Sequence, residues 1–435
     1  MLSSWLSQSS AIQTRPAHHA DGEAKAFKNP WPSAEAPTYS ELLQTKFPLG
    51  WYDNLAKKHP GTKDVKVVFP DWGVSDLNRR GLDKNRCIVG TSLGHAGVIT
   101  ELPLEGTAEN GGDKKSLWIV YDPIFSPRAG PTRYTGPQRL RPPPCQVTDF
   151  PGCDAVMISH NHYDHLDLST IKDIFQTFPN ARYFIPLGNK ELICSVGMPE
   201  EMVFELDWWD NREYSVQDFG FKTPQDSSED TLLRFTCVPA QHNSGRVVLD
   251  QGATLWCGWV IEQLLVSKDE AEPSKVRRKG AIYHAGDTGY RRTATSTAVC
   301  PIFKEIGQKF GPFDISFVPI WRGGTLGFVS ALGLRISHND IPSALHATPV
   351  DAIDIHKDVL SRNTVAVHFG TFVGSENESL ESIMEFEEGR EDRGVLRLDE
   401  DIEGADDERG HAGRAGIIDI GGSFAVEISV RDIAA

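Results

Sequence analysis

The chain has 435 residues, 39% of them hydrophobic, and a formal net charge of −16. That length and apolar content support a substantial core, and the acidic balance argues against nucleic acid as a partner, since Lys and Arg hold phosphate backbones. Seven Cys without paired or metal-type spacing, with no secretory signal, point to an intracellular, reducing compartment, and no run reaches the length of a membrane-spanning helix.

Met1 to Ala20 lacks acidic residues and carries Ser, Thr and Arg15, which leaves a mitochondrial address open. Residues 1–45 are rich in Pro, Ser and Ala and read as a mobile leader. The main domain is expected over residues 46–383, with its folded body starting between Lys63 and Asn85. Cys87 to Thr91, Ala96 to Leu102 and Ser116 to Tyr121 read as strands broken by Gly and charged turns. From Arg128 to Pro144 the prolines forbid regular helix or central strand. The accompanying Arg133, Arg139 and Arg141 offer a cationic rim or a solvated loop.

Ala155 to Ile158 is short, β-rich and preceded by Pro151-Gly152, so it reads as a buried strand. His160, His162, Asp164 and His165 follow at once. So many ionisable groups are costly to bury together unless something pairs them, and a divalent metal does so. His160 and His162, two residues apart, project to one side of an extended loop. Asp164 and His165 fall where the chain turns into a helix and face a second position, so the spacing suits two metals.

Leu168 to Thr177 then reads as a helix with Ile171, Ile174 and Phe175 on one face. Tyr183 to Leu187, Leu232 to Pro239, Leu255 to Ile261, Ala281 to Ala285, Ile315 to Ile320 and Thr364 to Val367 are the later strands. Lys190 to Val196 and Pro301 to Phe310 are helical, and Thr348-Pro349-Val350-Asp351 resembles a capped helix start. Thr223 to Asp230 and Ser267 to Lys279 look like polar surface insertions. Residues 384–435 are expected to form an acidic, solvated excursion that returns as an edge hairpin, Ala415 to Ile420 and Ser423 to Val430. His242, Asp287 and His368 each stand at or near a strand end, where loops at one edge of a sandwich converge.

The word Ser159-His160-Asn161-His162-Tyr163-Asp164-His165-Leu166-Asp167 resembles the metallo-β-lactamase superfamily motif. It is similar, more narrowly, to that of N-acyl-phosphatidylethanolamine-hydrolysing phospholipase D. Asn29-Pro30-Trp31-Pro32, Asp122 to Ser126, Glu205 to Trp209, Gln241-His242, Ala285 to Tyr290, Phe310 to Asp314 and His368 to Phe372 occur in that family's order. The resemblance implies an α/β fold, the αββα metallo-β-lactamase sandwich, with the Asn29 to Pro32 word docked on it. It implies that His160, His162 and His242 hold one metal, that Asp164, His165 and His368 hold the other, and that Asp287 bridges them. Two Zn²⁺ per chain suit such imidazole-rich ligation, and Fe or Mn stays open. His95 falls where the superfamily often has a structural His.

The implied reaction is metal-dependent hydrolysis of N-acyl-phosphatidylethanolamine to N-acylethanolamine and phosphatidic acid through a metal-bridged hydroxide, with Asp287 and His346 catalytic. His346 falls near the expected phosphate, and Leu345 stands where the family has Gln, which alters the substrate contacts there. Trp321 to Leu345 departs most from the family, and its Leu326, Phe328, Val329, Leu332, Leu334 and Ile336 supply an apolar docking run or cover the core. The implied partner is a membrane phospholipid met by reversible, peripheral membrane association, and a homodimer is left open. The rivals are another hydrolase on this fold, such as a lactonase or a phospholipase of different headgroup choice, and a non-catalytic metal-binding protein.

Overall fold

Alternating side chains sort the strands into layers. In Ser116–Tyr121, Ile119 and Tyr121 face one cluster while Val120 faces another. In Asn363–Val367, Val365 and Val367 face the first cluster and Ala366 a third. Period-two strands buried on both faces must lie between a partner sheet and a covering layer of helices. The computed structural model, which describes residues 16–35, 49–51, 53–104, 107–108, 116–222, 228–269, 276–293, 296–321, 330–336, 345–400 and 413–432, has this arrangement.

The seven-stranded sheet contains β1 (Cys87–Gly94), β2 (Gly97–Pro103), β3 (Ser116–Tyr121), β4 (Ala155–Met157), β5 (Arg182–Pro186) and β6 (Val203–Leu206). The nine-stranded sheet contains β7 (Asn211–Ser215), β8 (Glu229–Val238), β9 (Gly258–Ser267), β10 (Val276–His284), β11 (Ile315–Pro319) and β12 (Asn363–Val367). Its remaining strands are β13 (Leu396–Arg397), β14 (Arg414–Gly416) and Arg431–Asp432, while β15 (Ser423–Glu427) joins the first sheet beside β1. Between the sheets Phe184 stacks on Phe235 with ring centroids 4.6 Å apart, and Trp259, Phe317 and Ile282 complete the same layer.

Helix α1 (Leu168–Thr177) buries Ile171 and Ile174 on the outside of the first sheet. Helices α2 (Ile302–Phe310), α3 (Pro349–Asp358) and α4 (Glu376–Asp392) cover the second. Thr348 and Asp351 form the reciprocal cap at the start of α3, with Pro349 at its first position. The chain thus has the αββα sandwich.

Four expectations are corrected. The polar stretches around 229 and 276 are strand, not insertion: β8 and β10 extend outward on either side of β9, and Arg277 pairs with Glu229 at 2.6 Å. Residues 223–227 and 270–275 lie outside the described set. The acidic stretch beyond Met384 begins as the end of α4, because Phe386 and Arg390 are buried among the exposed acids. The C-terminal strands are not a hairpin: β14 runs parallel to β12, whereas β15 pairs antiparallel with β1 in the other sheet. Gly421 carries that crossing at φ +88°, with its α-carbon so near Val68 that a Cβ would meet the Val68 carbonyl at 1.9 Å. Finally, residues 16–35 of the leader are packed on the body, with Phe27 buried and its N–H donated to Gly252.

Candidate metal centre

Every ligand candidate lies just past the C-terminal end of a strand. β4 delivers His160, His162, Asp164 and His165, β8 delivers His242, β10 delivers Asp287, and β12 delivers His368. This is the crevice where open α/β sheets place ligands. The backbone there is forced: His95, Asp122 and His368 take φ of +53°, +39° and +59°, a left-handed region side chains rarely adopt. Gly286 lies against Ser159, where a Cβ would come within 2.5 Å, so a glycine is needed for Asp287 to reach the centre.

Two donor groups form. In one, His160 Nε2 lies 2.8 Å from His162 Nδ1, which is 3.3 Å from His242 Nε2. In the other, His368 Nε2 lies 3.7 Å from Asp164 Oδ2, and His165 Nε2 lies 3.9 Å from the same oxygen. Asp287 stands between them, with Oδ1 3.1 Å from His368 Nε2 and Oδ2 3.2 Å from His165 and 3.7 Å from His242. The structure therefore brings together all seven residues singled out as ligands.

Neighbours orient these donors, with hydrogen positions assigned from the network. The wholly buried Asp122 accepts from Ser159 N–H (2.7 Å), Ser159 Oγ–H (2.6 Å) and His165 Nδ1–H (2.8 Å). Ser159 Oγ in turn accepts from His160 Nδ1 at 2.9 Å. His242 Nδ1 donates to the Leu345 carbonyl at 2.7 Å. His95 Nε2 lies 2.9 Å from Asp164 Oδ2, which gives this histidine an orienting role. The Asn29 to Pro32 word buttresses the His242 turn: Asn29 Nδ2 donates to His242 O, and Ser33 Oγ donates to Gln241 Oε1.

The donor set fits a divalent metal. His165 Nε2, His368 Nε2 and Asp287 Oδ1 are buried without a well-aligned hydrogen bond, and a cation taking the two imidazole lone pairs and the carboxylate oxygen would offset that cost. Burial works to raise the Asp287 carboxyl, but the His165 and His368 imidazoles outweigh it and hold the group well below the carboxylate range.

A cavity of about 590 Å³ opens onto this centre, lined by Tyr163, Arg246, Trp321, His346, Phe372 and Val373 among others. His346 Nδ1 lies 3.7 Å from Asp287 Oδ2, and burial pulls its imidazole down to about 4, against the Asp287 charge. The sequence pattern missed Arg246, a lone Arg in a polar loop. Its guanidinium donates to the Asn161 and Leu166 carbonyls and lies 4.0 Å from the Tyr163 ring centroid. Arg133, Arg139 and Arg141 form no cationic rim on this cavity: Arg133 lies over the Tyr134 ring, Arg139 donates to the Ile124 carbonyl, and Arg141 pairs with Asp64. A larger cleft, about 1040 Å³ and lined by Lys84, Glu101 and Arg182, holds none of these ligands.

Fold and centre define a metallo-hydrolase of the β-lactamase superfamily, whose domain description matches residues 117–369. Within it the chain belongs to the N-acyl-phosphatidylethanolamine-hydrolysing phospholipase D family. It is 30% identical over 313 residues to N-acyl-phosphatidylethanolamine-hydrolyzing phospholipase D 1 of Caenorhabditis elegans, covering 71% of each chain. It is 33% identical over 257 residues to an uncharacterized protein of Mycobacterium tuberculosis, covering 58% of this chain and 54% of that one. The mitochondrial enzyme of the same name from Saccharomyces cerevisiae is 29% identical over 59% of this chain and 44% of its own. A solved isothiocyanate hydrolase from Delia radicum gut bacteria is 18% identical over 78% of this chain and 99% of its own, with a TM-score of 0.44.

Proposed function

We propose that the protein is a metal-dependent phospholipase D that converts N-acyl-phosphatidylethanolamine and water to N-acylethanolamine and phosphatidic acid. The observation that carries this reading is a pair of three-residue donor groups sharing Asp287 at the base of a largely apolar cavity. In it His160, His162 and His242 would hold one metal and Asp164, His165 and His368 the other, with Asp287 standing between the two groups. Zinc suits the imidazole-rich set, and iron and manganese accept the same donors. When bound, the two metals supply charge neutralisation at the phosphodiester and a water of lowered pKa.

The chain's own residues prepare the rest. Asp122, Ser159, His95 and the Leu345 carbonyl orient His165, His160, Asp164 and His242 respectively. Because Leu345 works through its backbone, replacing the family's Gln there preserves His242's orientation while removing a polar side chain from the cavity wall. His346, neutral in this buried setting, donates an N–H hydrogen bond to the departing alkoxide oxygen of N-acylethanolamine, which matters because an alkoxide leaves poorly. Trp321, Phe372 and Val373 give the acyl chains an apolar wall.

Among the described residues no helix is long and apolar enough to cross a membrane. Reversible docking by exposed side chains fits the substrate instead: Val247 lines the cavity at 58% exposure and Leu249, two residues on, is 97% exposed. Of the apolar run from Leu326 to Ile336, Leu332 is 72% exposed, and residues 322–329 lie outside the described set. The test is metal-loaded protein against a panel of N-acyl-phosphatidylethanolamine, phosphatidylethanolamine, phosphatidylcholine and lactones. Release of N-acylethanolamine from the first alone supports the reading, whereas lactone opening or another headgroup's release favours a rival hydrolase.

A further inference from the structure

A second group of donors lies outside the centre just described. His18 Nε2 stands 2.7 Å from Asp207 Oδ1, and His19 Nε2 stands 2.8 Å from Asp207 Oδ2. The three ligand atoms lie within 4.8 Å of one another. The two imidazoles repeat the arrangement of His160 and His162. Ring centroids are 4.5 Å apart in both pairs, with planes crossing at 83° in one and 84° in the other.

The surroundings hold these donors in place. His18 stacks on Trp208 with centroids 4.2 Å apart, and the Trp208 backbone N–H donates to Asp207 Oδ1. The three side chains are 9%, 12% and 20% exposed, so the group is sheltered but open to a water ligand. Burial works to raise the Asp207 carboxyl, yet hydrogen bonds from His18, Trp208 and His19 hold it below the carboxylate range.

We infer that His18, His19 and Asp207 form a separate mononuclear site for a divalent transition metal, with water completing its shell. Two imidazoles and one carboxylate are the donor set Zn²⁺ takes when one position stays open to water. Its place gives it a structural purpose. The segment it ties down runs from Pro16 to Glu35, donates Phe27 N–H to Gly252, and carries the Asn29 and Ser33 side chains that brace the His242 turn. A metal between residues 18 and 207 clasps this brace to the body.

The test counts metal in Zn²⁺-loaded, dialysed full-length protein beside His18→Gln/His19→Gln. The expected result is one equivalent of Zn²⁺ fewer in the variant, with circular dichroism unchanged. Equal metal content in the two folded proteins overturns the inference and leaves a hydrogen-bonded clasp. Should the double variant unfold, His19→Gln alone decides by the same count. The count needs no lipid hydrolysis, so it stands or falls independently of the proposed function.

Discussion

Asp122→Ala tests whether the buried carboxylate behind His165 sets that ligand's tautomer. Its side chain is inaccessible to solvent and accepts three hydrogen bonds, two from Ser159 and one from His165. Hydrogen bonds to a charged group contribute ~1.5–3 kcal/mol each, but three on one carboxylate do not add. Removing one partner of a buried charged pair costs ~3–5 kcal/mol, and that is the loss of stability expected for metal-stripped protein in denaturant. His165 then loses its reason to keep the proton on Nδ1 and present Nε2 to Asp287, and His160 loses the same support through Ser159. Metal affinity should fall by ~10–100-fold, read by competition with a chromophoric chelator. Asp122→Asn keeps the volume and should lose less stability, yet its amide cannot accept from all three donors, so affinity should still fall. Normal affinity in a destabilised Asp122→Ala protein would refute the reasoning and reduce Asp122 to a packing residue.

Three further outcomes are expected. Asp287→Ala should lose metal from both donor groups and all turnover, whereas loss of a single equivalent by elemental analysis would deny the bridge. His346→Ala should lower turnover by ~10²–10³-fold, the range for loss of one hydrogen-bond donor to developing charge, with metal content and thermal stability unchanged; unaltered turnover would make it a wall residue. Leu249→Ser combined with Leu332→Ser should weaken liposome sedimentation and slow hydrolysis of bilayer lipid, because full burial of such side chains contributes ~1.5–3 kcal/mol each, while a soluble short-chain analogue is hydrolysed as before. Equal losses on both substrates would place the docking surface elsewhere, with Phe328 the next residue to replace.

The sequence was most legible where chemistry and periodicity coincide. The α1 span and the Thr348 cap are read directly, because apolar spacing and reciprocal capping are local. The seven candidate ligands were identifiable because a motif and a family order named them, although only the folded chain shows Asp287 between both groups. Long-range choices were not legible. Nothing local says that residues on either side of Gly421 go to different sheets, or that charged ends of β8 and β10 pair across a ladder rather than dissolve into loops. Arg246 was invisible for a related reason: its role depends on the Tyr163 ring and two carbonyls about eighty residues away in sequence. His18 and His19 carried no signal in the sequence either, since their partner is Asp207.

The central claim is hydrolysis at phosphorus, and isotope placement tests it most directly. Metal-loaded protein is given N-acyl-phosphatidylethanolamine in ¹⁸O-labelled water, and both products are analysed by mass spectrometry. The account predicts one ¹⁸O in the phosphate of phosphatidic acid and none in the N-acylethanolamine. Label in the N-acylethanolamine, label in a released fatty acid, or no turnover by fully metallated protein would contradict it.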